Sequence, residues 1–479
     1  MMLLDADMVL ISGFLTKHVK ELSTHILVSN MPYGFLTIVT LVVVFVTFFM
    51  RNGMMRRVYL VDFACYKPPE SQLCTREFTV CRARTSGRFS EKTLDFMQAT
   101  MDRSGLGDST CLPEGLIREP LDICLEEALR EARSVMFGAV REVLEKTGLK
   151  GSDIRILVVN CCVFCVAPSL SAMIVNEFKL RDDVMSYNLQ GMGCSAGLAA
   201  VGLAKHLLQV HCNSYALVLS TENLTENVYQ GDDRSMILIN CLFRVGGAVV
   251  LLSNRPSSRS TAKYELLHTV HTQTASSDRS YSCIFRKEDE EGGTGISITK
   301  DLLAVANQTI KTNIAALGHL VLPLSEKFPY AVNAMVRYFQ VMEVQPYNPD
   351  FTKAIDHICP HVGGKPVLDE LQKSLHLSDA HMEASRMTLY KFGNTSSSSV
   401  WYELAYIEAK GRMKRGDRVW QIAFGSGFKC HSAIWRVIRM CDPEERNPWS
   451  DEINSYPVDL SGVGSFPYFF EPSKQKITG

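Results

Sequence analysis

One short unit occurs twice in this chain: a loop of small residues, then a helix, then a buried strand. In the first copy the loop ends at Cys194 and the apolar strand is Tyr215–Ser220. In the second copy the loop is Gly393–Ser399 and the strand is Arg418–Phe424, at a similar spacing. The repetition predicts two related halves that pack face to face, with a site where the two loops meet.

Other segments alternate between strand-like and helix-like patterns. Their β-branched residues make Ile154–Asn160 and Gly246–Ser253 good buried strands. Helical spacing of apolar residues predicts helices at Glu119–Thr147, Ser169–Phe178 and Ser195–Val210. Such alternation predicts an α/β fold with layered sheets.

A long apolar run lies near the N-terminus. Phe35–Met50 contains nothing more polar than threonine, and with residues 31–34 it gives about 20 residues, enough to cross a hydrocarbon core. Arginines follow the run, which favours the cytoplasmic side for the long C-terminal part. We therefore predict a transmembrane anchor with one span near residues 31–50. Residues 8–15 predict either a weak first span or an interfacial helix.

Composition excludes some classes of protein. The formal net charge is −1, so no strong electrostatic attraction to nucleic acid is expected. The 15 cysteines are scattered and odd in number, unlike a secreted disulfide framework. Cys161, Cys162 and Cys165 lack a second ligand pair at matching spacing, so buried thiols are favoured over a metal site.

Cys194 is the first candidate for chemistry. It stands between Gly193 and Ser195, and small residues let the backbone approach a ligand closely. A thiol at a helix N-terminus feels the positive end of the helix dipole, which predicts a lowered pKa and more thiolate. A nucleophile that exchanges thioesters needs this property. A small cysteine in a tight helix contact would leave the same pattern, so local context leaves both interpretations open.

A reactive cysteine needs partners from elsewhere in the chain. His361 precedes a Gly-Gly turn and Asn394 lies on a constrained loop, so both are candidates. A lone histidine is usually structural, and His357 and His268 are interpreted in that way first, with an auxiliary role in the site as the alternative.

Four motifs in order carry a resemblance to one family. They are Asn188-Leu-Gln-Gly-Met-Gly-Cys-Ser-Ala-Gly197, His361-Val-Gly-Gly364, Gly393-Asn-Thr-Ser-Ser-Ser398 and Phe424-Gly-Ser-Gly-Phe428. Over roughly residues 57–445 the chain resembles the plant membrane-bound 3-ketoacyl-CoA synthases, relatives of type III polyketide synthases and of bacterial ketoacyl synthases. The resemblance implies a thiolase-like duplicated αβαβα fold, in agreement with the repeated unit.

The resemblance also implies a role for each motif. Cys194 resembles the residue that attacks an acyl-CoA thioester and then carries the acyl chain. His361 and Asn394 resemble the pair that binds the thioester oxygen of malonyl-CoA as carbon dioxide leaves, and His361 would also raise the thiolate content of Cys194. A second oxyanion would be held by main-chain N–H groups near Cys194 and in the loop Gly425, Ser426 and Gly427.

The implied reaction is a decarboxylative Claisen condensation. A long- or very-long-chain acyl-CoA and malonyl-CoA give 3-oxoacyl-CoA, CoA and carbon dioxide, the first step of fatty-acid elongation toward wax, suberin or storage lipid. These two substrates are expected to need no cofactor and no metal. The implied setting is the endoplasmic reticulum membrane, with the catalytic body facing the cytosol. A homodimer is expected, in an elongase complex with ketoacyl reductase, dehydratase and enoyl reductase.

The implied organisation has four parts. The membrane anchor is 1–57, the half that carries the nucleophilic cysteine is 58–345, the half that carries the histidine and the asparagine is 346–445, and the tail is 446–479. Between the two loops, the charged stretch Ile284–Gly295 predicts a surface loop.

The sequence departs from the family pattern at a few positions, among them Gln190, Gln273, Tyr390 and His431. These changes keep a second hypothesis open, a catalytically weak or inactive member that modulates other condensing enzymes. A soluble polyketide synthase with aromatic products would fit the motifs but not the apolar run.

Overall fold

The computed structural model describes residues 37–44, 46, 56–339, 344–442 and 445–463. The chain divides into two compact units, Met1–Arg56 and Arg57–Gly479. In the first unit, residues 37–44 and 46 are helical. Within the described ranges, no helix combines the length and the apolar character that a bilayer span requires. The predicted span at 8–15 and most of the one at 31–50 lie outside the described residues.

The strands of the second unit are mostly apolar and β-branched, which suits a pleated and buried surface. In chain order they are β1 (Val58–Cys65), β2 (Leu73–Cys74), β3 (Thr110–Cys111), β4 (Ile154–Asn160), β5 (Met185–Leu189), β6 (Tyr215–Thr221), β7 (Gly247–Ser253), β8 (Tyr264–Gln273), β9 (Ile284–Glu288), β10 (Thr294–Ile298), β11 (His357–Pro360), β12 (Arg418–Gly425) and β13 (Lys429–Val437).

Some helix ends have capping residues that the sequence supplies. The hydroxyl of Ser169 accepts the N–H of Ala172 at the start of one helix, and Gly148, with φ +67°, closes the end of another. In chain order the described helices of this unit are α1 (Arg76–Thr85), α2 (Glu91–Arg103), α3 (Glu114–Ile117), α4 (Leu125–Thr147), α5 (Leu170–Phe178), α6 (Ala196–Val210), α7 (Leu224–Asn227), α8 (Arg234–Leu242), α9 (Ser258–Thr261), α10 (Asp278–Tyr281), α11 (Leu302–Val321), α12 (Leu324–Tyr338), α13 (Lys365–Leu375), α14 (Asp379–Phe392) and α15 (Ser399–Ala409).

Nine of these strands form one sheet in the order β11-β12-β13-β8-β1-β7-β6-β4-β5. Pair by pair, β4 and β6 are parallel, β6 and β7 antiparallel, and β7 and β1 antiparallel. The same directions recur in the pairs β11–β12, β12–β13 and β13–β8. The halves join where β1 and β8 run antiparallel, with Tyr59 opposite Glu265. The predicted duplication is confirmed.

The repeated strand directions indicate where one half of the sheet ends and the other begins. By sheet order the second half starts with β8 at Tyr264. This start lies upstream of the predicted boundary between residues 345 and 346, which stays a prediction.

Two helices lie between the halves of the sheet. α6 contacts β4 and β6 of its own half and β12 and β13 of the other, while α15 contacts β11 and β12 and also β1 and β7. On the outer faces, α4 packs on β1, β6 and β7, and α11 packs on β8 and β13. These contacts give the predicted αβαβα layers, with the N-termini of both central helices at the middle of the molecule.

Two predicted elements differ in the structure. The helix predicted from Glu119 begins at Leu125, because Pro120 disfavours helical backbone in the residue before it. The stretch predicted as a surface loop forms most of a β-hairpin, in which β9 and β10 pair from Ile284 and Ile298 to Glu288 and Thr294. That prediction was wrong because the charges mark only the exposed end, whereas apolar residues close the base.

Candidate active site

Cys194 lies in the turn Gly193–Ser195, directly before α6. Gly193 has φ +59°, and a Cβ built there would lie 2.6 Å from the main-chain nitrogen of Ser426. Gly425 is equally restricted, since its Cβ would lie 2.8 Å from the nitrogen of Cys194. Glycine is therefore required on both sides of the contact, and it brings the Cys194 turn against the loop that follows β12.

The Cys194 thiol is surrounded by protein but borders a cavity. The hydroxyl of Ser396 lies 3.6 Å from the Sγ of Cys194. Burial raises the pKa of Cys194 to about 12. The sequence predicted a lowered pKa, and this was wrong, because desolvation of the thiolate outweighs the stabilisation offered by the turn and the helix N-terminus. The resting nucleophile is a neutral thiol.

His361 follows β11, and its main-chain N–H donates to the carbonyl of Ile422 over 2.8 Å. Its Nδ1 forms a 2.7 Å hydrogen bond with the hydroxyl of Ser399, at the start of α15. Burial lowers the pKa of His361 to about 3, so the ring is neutral. A neutral ring offers no positive charge to a thiolate, and the expectation that His361 raises the thiolate content of Cys194 stays a prediction.

Asn394 lies between α14 and α15 and is buried. Its main chain is fixed on both sides, because its N–H donates to Leu242 and its carbonyl accepts from Arg244, each over 3.0 Å. Its side-chain Oδ1 accepts the N–H of Ser396 over 2.8 Å. This bond sets the amide orientation, so Nδ2 is the donor that Asn394 can offer to a ligand.

One cavity of roughly 370 Å³ brings the predicted residues together. Its walls include Cys194, His361, Asn394 and the predicted loop Gly425, Ser426 and Gly427. The β9–β10 hairpin supplies much of the apolar wall through Ile284, Phe285, Ile296 and Ile298. A thiol, an imidazole and an amide therefore meet in a mostly apolar space, where hydrogen bonds to a developing charge are strong.

Glu222, which was not predicted from the sequence, is a buried carboxylate in the wall of this cavity. It accepts the main-chain N–H groups of Cys162 and Val163 over 3.2 and 3.3 Å. The hydroxyl of Ser396 lies 3.4 Å from Oε2 of Glu222 and 3.6 Å from Sγ of Cys194, and so bridges the two. Burial raises the pKa of Glu222. The available signal was its position directly after the buried strand β6, although burial of a glutamate, which is rare, is not visible in a sequence.

The auxiliary histidines lie elsewhere. His357 is at the opposite end of β11 from His361 and pairs with Asp417 over 2.9 Å. His268 is in the middle of β8, opposite Ile434, and burial lowers its pKa. Neither lines the cavity, so the structural interpretation of both residues fits their positions.

The four departures from the family pattern also lie away from the cavity. Gln190 and Gln273 are exposed. The ring of Tyr390 packs against Gly107 and Tyr456. His431 is buried with its ring edge-on to a histidine on the neighbouring strand. None of these changes alters the walls around the three central residues.

Two family models and several relatives match this sequence. The family model described as "FAE1/Type III polyketide synthase-like protein" matches residues 50–339, and the one for the C-terminal part of 3-oxoacyl-acyl-carrier-protein synthase III matches residues 351–437. The chain is 55% identical to "3-ketoacyl-CoA synthase 2" of Arabidopsis thaliana, over 88% of this chain and 82% of the relative. It is 50% identical to "3-ketoacyl-CoA synthase 11" of the same plant, over 95% and 89%.

Solved structures share the fold at much lower identity. The type III polyketide synthase domain of "Steely1" from Dictyostelium matches with a TM-score of 0.63 and 16% identity, over 80% of this chain and 100% of that one. A type III pentaketide synthase from Neurospora crassa matches with a TM-score of 0.62 and 18% identity, over 79% and 99%. With a thiolase-like fold, a matching family model over more than half of its length and relatives at half identity or more, the chain belongs to the 3-ketoacyl-CoA synthase family.

Proposed function

We propose that this chain condenses a long-chain acyl-CoA with malonyl-CoA and releases 3-oxoacyl-CoA, CoA and carbon dioxide. The observation that carries the proposal is the convergence of Cys194, His361 and Asn394 on one apolar cavity. The names of the relatives, all 3-ketoacyl-CoA synthases, support the same reaction.

In the first half-reaction Cys194 receives the acyl chain. Because both the thiol and the imidazole are neutral at rest, Nε2 of His361 takes the thiol proton as Sγ attacks the thioester carbon. The C–S bond to CoA breaks, and the CoA thiolate leaves with that proton as a free thiol. The main-chain N–H of Cys194, held next to Gly425, stabilises the oxyanion of the tetrahedral intermediate.

In the second half-reaction malonyl-CoA loses carbon dioxide. Its thioester oxygen accepts hydrogen bonds from Nε2 of His361 and Nδ2 of Asn394, and the electrons of the broken C–C bond move onto that oxygen. Each such donor stabilises the enolate by about 3–4 kcal/mol. The enolate carbon then attacks the acyl thioester, the C–S bond to Cys194 breaks, and the thiolate that leaves takes up a proton from solvent. Decarboxylation supplies the carbon nucleophile, so the proposed chemistry needs no cofactor.

Ser399 makes both uses of one histidine compatible. A hydroxyl can either donate to Nδ1 or accept from it, so the 2.7 Å bond persists in both neutral tautomers. One tautomer leaves Nε2 free to accept a proton from the thiol. The other makes Nε2–H a donor to the malonyl thioester oxygen.

The proposal extends to the setting of the enzyme. The apolar run at residues 31–50 and the arginines after it support an anchor in the endoplasmic reticulum membrane with the body facing the cytosol. A homodimer is supported by β5, an end strand of the sheet with partly exposed side chains. An elongase complex with ketoacyl reductase, dehydratase and enoyl reductase follows from the chemistry, because a 3-oxoacyl-CoA must be reduced, dehydrated and reduced again.

The test is covalent loading followed by turnover. Full-length protein in microsomes is incubated with acyl-CoA of several chain lengths. The mass of the peptide that contains Cys194 is measured by mass spectrometry before and after malonyl-CoA is added. We expect an acyl adduct that disappears as 3-oxoacyl-CoA forms. Cys194→Ala should abolish both signals, while Cys165→Ala, at an exposed thiol outside the cavity, should keep them. Absence of an adduct and of product at every chain length would favour the modulating, non-catalytic alternative.

A further inference from the structure

α12 presents its apolar side to solvent. Leu324, Phe328, Met335 and Tyr338 are 80, 72, 60 and 82% exposed. Their spacing of four, seven and three residues places all four on one face of a helix. A surface helix of a globular protein normally has the reverse arrangement, and a contiguous exposed apolar face marks a binding surface.

The polar side of α12 is the side attached to the protein. Glu326 is 1% exposed, pairs with Lys353 and accepts the hydroxyl of Tyr347 over 2.8 Å. About two turns further on, the amide of Asn333 donates to the carbonyl of Gln345 over 2.9 Å and accepts the N–H of Tyr347 over 3.0 Å. These bonds fix the rotation of the helix, so the apolar face is held outward.

The cations of α11 and α12 outnumber their anions. α11 and α12 together contain a single acidic residue, Glu326, which is buried and neutralised by its lysine. The same two helices carry Lys311, Lys327 and Arg337. Lys327 directly precedes Phe328, so a cation borders the apolar stripe. An apolar stripe on a helix with excess cations is complementary to an anionic phospholipid surface, where the headgroups attract the cations and the acyl region takes up the apolar side chains.

We propose that α12 is a membrane-docking helix that lies in the bilayer interface, with its apolar face about 5–10 Å into the headgroup and acyl boundary. This surface belongs to the catalytic unit itself and does not depend on the N-terminal apolar run. The occupant to which we commit is lipid, because the cations suit anionic headgroups and repel the same cations on a second copy.

A groove behind α12 relates the proposed docking to the catalytic cavity. A groove of roughly 860 Å³ lies among α11, α12 and α13, and its lining includes Ile310, Ile314 and Tyr330. Val367 lines both this groove and the catalytic cavity. A bilayer against α12 would therefore face the side on which the catalytic cavity adjoins an apolar groove. This step rests on the proposed function, whereas docking by α12 does not.

A tryptophan reporter tests the proposal directly. The four native tryptophans, Trp401, Trp420, Trp435 and Trp449, are fully buried, so an exposed one can be read against a low background. Full-length Phe328→Trp protein is reconstituted into phosphatidylcholine vesicles that contain about 30% phosphatidylserine. Its fluorescence is then measured with and without phosphatidylcholine brominated on the acyl chains. The matched control is Leu125→Trp, at a 59% exposed leucine that begins α4.

We expect brominated lipid to quench the reporter at 328 at least about threefold more strongly than the one at 125, with a weaker difference when phosphatidylserine is omitted. Equal quenching at both sites would overturn the proposal. So would a reporter whose emission changes with protein concentration in detergent but not with lipid bromination, because a second copy would then cover the face. Since Phe328 is an exposed aromatic residue, its replacement by tryptophan leaves the core intact.

Discussion

The two loops that begin the central helices have the same shape but different surroundings. Each contains a single 3-10 turn, Gly193–Ser195 in the first half and Ser396–Ser398 in the second, and each leads directly into a central helix. The first borders the cavity with a partly accessible thiol. The second is buried at every residue of its turn, as is the whole of α15 behind it.

This difference separates two tasks that the reaction needs. The first loop presents a nucleophile to substrate, whereas the second holds polar groups rigidly around it. The hydroxyl of Ser397 donates to Asn160 of β4 over 2.7 Å, and that of Ser396 reaches Cys194. Duplication therefore produced two similar loops, of which the first supplies the nucleophile and the second supplies the Asn394 donor to malonyl-CoA and fixes the site. Variants should separate acyl loading from decarboxylation along the same line.

Asn394→Ala should impair decarboxylation, the step to which the second loop contributes, and leave acyl loading intact. Loss of the Nδ2 donor removes stabilisation of the enolate, so malonyl-CoA decarboxylation should fall by about 100–1000-fold, while the acyl adduct on Cys194 still forms. Cys194→Ala should show the reverse, with decarboxylation retained and no adduct. Radiolabelled carbon dioxide release and intact mass measure the two steps. Equal loss of both steps in each variant would contradict the division of tasks.

The pH dependence of alkylation tests the resting state of the first loop. With a pKa of about 12 for Cys194, its thiolate fraction rises about tenfold for each pH unit throughout the neutral range. The rate of iodoacetamide labelling should therefore increase by about 100-fold between about pH 7 and about pH 9, without a plateau. Quantitative mass spectrometry of the Cys194 peptide measures it, with free cysteine, which levels off near pH 8.5, as the reference. A plateau at neutral pH would show that the helix N-terminus outweighs burial.

Only part of the site around the two loops could be predicted from the sequence. Cys194, His361 and Asn394 were predicted because each stands in a local motif of small residues, and the order of these motifs resembles that of one family. Glu222 and Ser399 were not, because their importance depends on neighbours that only the folded sheet supplies. The pKa of Cys194 was mispredicted for the same reason: helix position is visible in a sequence, whereas the depth of burial is not. The β9–β10 hairpin was missed because charges at its tip outnumber the isoleucines that line the cavity.

A pair of glycines in the first loop separates backbone strain from steric contact. Gly191 and Gly193 have φ of +64° and +59°, but a Cβ at Gly191 meets nothing within 4 Å, whereas one at Gly193 meets Ser426 at 2.6 Å. Both alanine variants should lose about 1–2 kcal/mol of stability through left-handed strain. Only Gly193→Ala should also lower the rate of acyl loading, by a factor of roughly several tens, since it displaces Cys194 from the Gly425 loop. Thermal unfolding and loading kinetics measure the two effects, and equal loading rates would contradict the contact argument.

Ser399→Ala tests whether the second loop positions the imidazole. The change leaves Nδ1 of His361 buried without its partner, so neither tautomer is held in place, and kcat should fall by about tenfold with little change in KM. The matched control is Ser398→Ala, which removes a neighbouring buried hydroxyl that donates to the carbonyl of Thr395 over 2.8 Å. Ser399→Thr should restore most of the rate because it keeps the hydroxyl. If both alanine variants lose stability and kcat equally, the serines act only as scaffold. A selective loss of kcat at 399 would show that the buried loop controls the proton positions on which both half-reactions depend.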